Sequence, residues 1–70
     1  MSPLNRMVLV RRRAVTLRGP EPLERDGFWM GVVTKVTDKE VRIKLWCGTA
    51  RQDLTVTMPI ESKEWRIRFP

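Results

Sequence analysis

Seventy residues make room for one small domain, near the lower limit at which a single core supports an independent fold, so association with another chain is expected from size alone. Fourteen Lys and Arg against eight Asp and Glu give a net charge of +6, and a 41% apolar content gathered in short alternating runs argues against a disordered chain. One Cys and no His exclude an internal disulfide and a Cys-based metal centre, and no apolar run approaches the roughly 20 residues of a membrane span.

Met1 to Arg6, with Pro3 and no periodicity, reads as a flexible leader, and residues 7–70 as a single β domain. The first residues lack the apolar core of a signal peptide, which together with the lone thiol points to a cytoplasmic protein. Met7-Val8-Leu9-Val10 is a continuous aliphatic run short enough to be a strand buried on both faces. Arg11-Arg12-Arg13 follows directly. In an extended chain Arg11 and Arg13 point one way and Arg12 the other, so the triplet must lie where the strand leaves the core, and at least one face there is wet and positive. Ala14 to Leu17 returns to β-favouring residues. Arg18 to Gly27, with two Pro and two Gly, is the main loop, and Leu23 is its one apolar anchor.

Phe28 to Trp46 is the clearest unit, two β-patterned runs joined by Thr37-Asp38-Lys39-Glu40, a connection that suits a hairpin built on a type I turn. In the first run Phe28, Met30, Val32 and Val36 share one parity while Trp29 and Val33 fall on the other. This strand is therefore central, or bent at Gly31. In the second, Val41, Ile43 and Leu45 alternate with Arg42, Lys44 and Trp46. Cys47 to Ala50 reads as a turn, with Cys47 a small packing residue. Leu54 to Met58 alternates apolar residues with Thr, and Pro59 ends the ladder because it has no N–H to donate. Ile60 to Lys63 is expected to be a turn or a single helical turn. Glu64 to Phe69 fits a strand better than a helix, since Trp65, Ile67 and Phe69 alternate with Glu64, Arg66 and Arg68. The fold class expected is all-β, a small five-stranded barrel or sandwich.

The residue inventory argues against catalysis. There is no His or Tyr, the one Cys has no imidazole to activate it, and Asp38, Glu40 and Asp53 lie in turns beside cations, where solvated ion pairs are the ordinary state. The four glycines are scattered, so no phosphate-binding loop exists. No cofactor and no metal are expected. What remains is Arg-rich charge next to aromatic and β-branched surface. Ten of the fourteen cations are Arg, whose planar fork suits bidentate phosphate contacts and stacking on bases. Trp46, on the same parity as Arg42 and Lys44, is a candidate to stack on a base, with packing under a loop as the alternative. Trp29 and Trp65 are expected in the core.

Two pieces resemble the carbon storage regulator family of bacterial RNA-binding translational regulators. Met7 to Arg13 looks like that family's opening strand leading into a pair of Arg, and Val36 to Leu45 looks like its central hairpin, with Leu54-Thr55-Val56 matching a following strand. The resemblance implies an intertwined homodimer, in which the first strand of one subunit lies beside the last of the other, and binding of hairpin-loop RNA. It would carry RNA contacts onto Val10, Arg12 and Arg13. The chain departs from the pattern at Met58, where the family has an Arg, and in its longer first loop, so Arg51, Lys63 or Arg66 would have to supply the missing cation. The expected interface is therefore Val10, Arg11, Arg12, Arg13, Arg42, Lys44, Trp46 and Arg66, taking single-stranded or hairpin-loop RNA. The competing reading is an SH3-like or Tudor-like protein-interaction barrel with an acidic partner. It starts from Asp26 to Val33, which also looks like an opening of that fold.

Overall fold

The structure is a computed structural model of the whole chain, and residues 2–15, 23–24, 27–46 and 54–68 are described. They form β1 (Met7–Arg11), a 3-10 turn (Arg12–Ala14), β2 (Leu23–Glu24), β3 (Phe28–Val36), β4 (Glu40–Leu45), β5 (Leu54–Pro59) and β6 (Trp65–Ile67). Five of the strands build one antiparallel sheet in the order β5-β4-β3-β1-β6. The two-residue β2 adds to the edge of β3 that β4 occupies further along, pairing Leu23 with Trp29. The all-β expectation holds, and the last segment is a strand, as its alternation predicts.

Register assigns every side chain to a face, because opposed residues share one. Val8 and Val10 oppose Gly31 and Trp29, which places them with Val33, Val41, Ile43, Leu45, Val56, Met58, Trp65 and Ile67 on a single inner face. These residues form one apolar cluster drawn from both ends of the sheet, with Val8, Val10, Val33, Val41, Ile43 and Leu45 fully buried. Trp65 at one end of the sheet reaches the Pro59 carbonyl on the strand at the other end, so the sheet curls around its core without closing. Trp29, only 1% exposed, is the largest fully buried side chain. Trp65 is half-buried, with its indole Nε1 donating to the Pro59 carbonyl at 3.1 Å.

β3 is the central strand that its two apolar faces imply. Gly31 allows the close approach of β4, since a Cβ there would lie 2.7 Å from the Lys44 carbonyl oxygen and 2.9 Å from Ile43 Cγ2. The break in alternation comes later than Gly31, as a register shift between Val33 and Lys35. That bulge carries Val36 over to the core side, opposite Val41, and Lys35 to the outer side, opposite Arg42. Simple parity had grouped Val36 with Phe28, Met30 and Val32. The physical reason for the change is that unbroken alternation would have pointed Lys35 into the core, where an unpaired ammonium is not tolerated.

One further reading changes. The Arg triplet is not an extended strand: β1 ends at Arg11, and Arg12 and Arg13 turn away in the 3-10 segment, whose Arg12 carbonyl accepts from Val15 N–H at 3.2 Å. Val15 thereby reaches the core. The leader is tied down at its end, with Asn5 N–H donating to the Val33 carbonyl at 2.8 Å and Val33 N–H to the Arg6 carbonyl at 3.1 Å. Asn5 takes a left-handed φ of 65°, which Asn tolerates better than most residues. Finally, β1 is flanked on both sides by strands of its own chain, β3 and β6. An intertwined dimer would have to displace one of them. The expectations for Thr16 and Leu17, most of the 18–27 loop, Cys47 to Asp53 and Phe69 fall outside the described residues.

Candidate nucleic-acid interface

The outer face of the sheet is built by the residues that alternate with the core. Arg11 opposes Phe28; Arg66, Leu9 and Met30 share one row; Met7, Val32, Lys44 and Thr55 share the next; and Lys35, Arg42 and Thr57 follow. Trp46 extends the second row, since its N–H donates to the Met30 carbonyl at 2.9 Å. The face is therefore an apolar strip of Met7, Leu9, Phe28, Met30 and Val32. Lys35, Arg42, Lys44 and Trp46 border it on one side, and Arg11 and Arg66 on the other.

Cations and apolar surface interlock here. The Arg66 and Arg11 guanidiniums lie 5.0 and 5.6 Å from the Phe28 ring centroid, and their stems help explain why Phe28 and Leu9 are buried although they face outward. Arg11 Nε also sits 3.4 Å from Glu64 Oε2, a charge contact without hydrogen-bond alignment. Arg12 points elsewhere, stacking 5.4 Å from the Trp29 ring at the end of the core. Arg13 is exposed and joins Arg11, Arg12 and Gly27 around an open cleft. Asp38 and Glu61 line a shallow depression with Lys39, Pro59 and Ile60 at the hairpin tip, and Glu40 lies on the outer face beside Lys35 and Arg42.

Of the residues expected at the interface, Arg11, Arg42, Lys44, Trp46 and Arg66 share the outer face. Arg12 and Arg13 form a separate corner beside it. Val10 belongs to neither: its side chain is fully buried between Trp29 and Trp65, so it contributes packing and cannot be a side-chain contact. Trp46 is 39% exposed on this face, the only large aromatic among the exposed hydrophobics of the described residues. Sequence reasoning missed Lys35, whose parity pointed inward. A charge on the apolar parity of a strand was the available signal that a bulge must intervene. It also missed Phe28 as the platform for two guanidiniums, because that contact depends on β3, β1 and β6 lying side by side. No group of three or more metal-binding side chains occurs among the described residues. Among the described residues no helix is long and apolar enough to cross a membrane. Comparison of the chain with family models, with curated proteins and with solved structures finds no match.

Proposed function

We propose that this chain is a non-catalytic RNA-binding β module that takes unpaired RNA across its outer sheet face. The observation that carries this reading is the register that collects Arg11, Arg66, Lys35, Arg42, Lys44 and the exposed Trp46 around one apolar strip. Such a surface can offer cations to phosphates on both sides and a ring on which a base can stack. Arg12 and Arg13 extend the positive surface at its corner. A regulator of translation resembling the carbon storage regulators would use such a face, although here β1 is already flanked on both sides within its own chain.

Filter binding of a fluorescent hairpin-loop RNA over a salt series tests the proposal. Affinity should fall with salt, and Arg66→Ala should weaken binding and reduce the log–log slope by about one phosphate contact. Trp46→Ala should cost roughly ten-fold in affinity with little change in slope. Absence of RNA binding at low salt, or wild-type binding by both variants, would overturn it.

The second reading, an SH3-like or Tudor-like barrel for an acidic protein partner, is favoured by one fact: β1 completes its pairing within one chain, as a self-contained barrel requires. An aromatic cage is not available to it, because Phe28 lies under two guanidiniums and Trp29 is buried. Binding of acidic peptides in preference to RNA would select this reading.

A further inference from the structure

The two edges of the sheet differ. β6 is three residues long and carries a charged Arg66 at its centre with Glu64 and Arg68 beside it, the kind of short, charged edge that resists strand addition. β5 is twice as long, bears no charge, and among the described residues pairs only with β4.

The hydrogen-bond parity of β5 can be worked out. Ile60 N–H donates to the Lys39 carbonyl at 2.8 Å, and β5 keeps that register with β4 through Met58 opposite Val41, Val56 opposite Ile43 and Leu54 opposite Leu45. Backbone groups alternate sides along a strand, so Leu54, Val56 and Met58 point theirs at β4 while Thr55, Thr57 and Pro59 point theirs at the open edge. Pro59 has no N–H, and its carbonyl already accepts from Ser62 N–H at 3.0 Å and Trp65 Nε1 at 3.1 Å. Among the described residues, the N–H and C=O of Thr55 and Thr57 are thus the groups of this edge left unused.

The side chains along this edge read almost the same in both directions: Leu54, Thr55, Val56, Thr57, Met58. We infer that β5 is a self-complementary docking edge, and that a second copy of this chain pairs with it antiparallel about a two-fold axis at Val56. In that arrangement Thr55 of each copy opposes Thr57 of the other as a hydrogen-bonded pair, giving four backbone bonds, and Val56 meets its own mate on the inner face. Leu54 opposes Met58. Each cross-strand pair is like with like, Thr–Thr pairs being among the favourable ones, and the half-exposed Leu54 and Val56 would gain cover. Pro59 limits the pairing to these five residues. This interface differs from an intertwined exchange because it leaves β1, β3 and β6 in place.

Sedimentation velocity over a concentration series, with thermal unfolding as the control for folding, tests the inference. The wild-type chain should show a monomer–dimer equilibrium that stops at the dimer. Thr57→Pro deletes an outward N–H, and with it two of the four bonds, without touching the β4 ladder; it should give a folded monomer over the same range. Thr55→Glu with Thr57→Glu sets carboxylates against each other across the axis and should weaken dimerisation at least ten-fold, while Thr55→Glu with Thr57→Lys sets opposite charges together and should restore it. A wild-type chain that stays monomeric throughout, a dimer indifferent to Thr57→Pro, or a larger ring or ladder of the kind β5-to-β6 pairing would build, would each overturn the inference. None of these outcomes depends on RNA, so they stand apart from the binding reading.

Discussion

Gly31 shows how one residue sets the shape of the sheet. It sits on the inner face opposite Val8 and Leu45, where any Cβ would meet the Lys44 carbonyl oxygen at 2.7 Å and Leu45 Cδ2 at 3.0 Å. A flexible side chain could move aside, but a backbone oxygen in a ladder cannot. Gly31→Ala should therefore cost about 2 kcal/mol through overpacking, equivalent to a fall in Tm of about 10 °C for a domain of this size, measured by thermal unfolding. A loss below about 0.5 kcal/mol would show that β4 can retreat. Trp29 is a second residue under tension. Among the described residues its buried indole N–H has no acceptor, a cost that its ring offsets by filling the core and by carrying the Arg12 guanidinium.

At the scale of elements, the β3–β4 hairpin is closed by one side chain. Thr37 Oγ1 accepts from Glu40 N–H at 2.9 Å and from Lys39 N–H at 3.3 Å, while Thr37 N–H donates to the Glu40 carbonyl at 2.9 Å. Thr37→Val keeps the shape and removes the oxygen, and should destabilise the fold by about 1 kcal/mol with an unchanged urea m-value. An unchanged midpoint would mean that water replaces the hydroxyl at no cost. The hairpin, the Thr-alternating β5 and the strand at β6 were legible in sequence because period-two alternation and turn residues are local signals. The bulge at Thr34 was half legible, through the misplaced parity of Lys35. The end of β1 at Arg11 was not, because nothing local distinguishes a second extended Arg from one that turns away, as Arg12 does, to stack on a distant Trp.

For the whole molecule, the small size governs the energetics. A domain of this length is expected to hold roughly 4–10 kcal/mol of stability in total. Ile43 is fully buried at the middle of the cluster that joins both ends of the sheet, so Ile43→Ala should remove roughly 3 kcal/mol and leave the transition broad or lost near 37 °C by circular dichroism. Retention of a wild-type Tm would mean that the curled sheet collapses onto the gap. Charge acts at the same scale: the chain carries a net +6, and on the outer face acids stand among the cations, Glu40 beside Lys35 and Arg42 and Glu64 beside Arg11.

By itself the sequence determined that the chain is all-β, where most strands lie, that it holds a single Cys and no His, and that Arg supplies ten of its fourteen cations. Alternation, turn residues and composition act over a few positions and need no partner to be read. Only the tertiary structure decided which strands neighbour β1, that Val10 packs in the core while Arg66 joins Arg11 over Phe28, that Lys35 shares a face with Arg42, and that β5 is left as the open edge. Those facts follow from pairing between segments far apart in the chain. A face exists only once its strands are side by side.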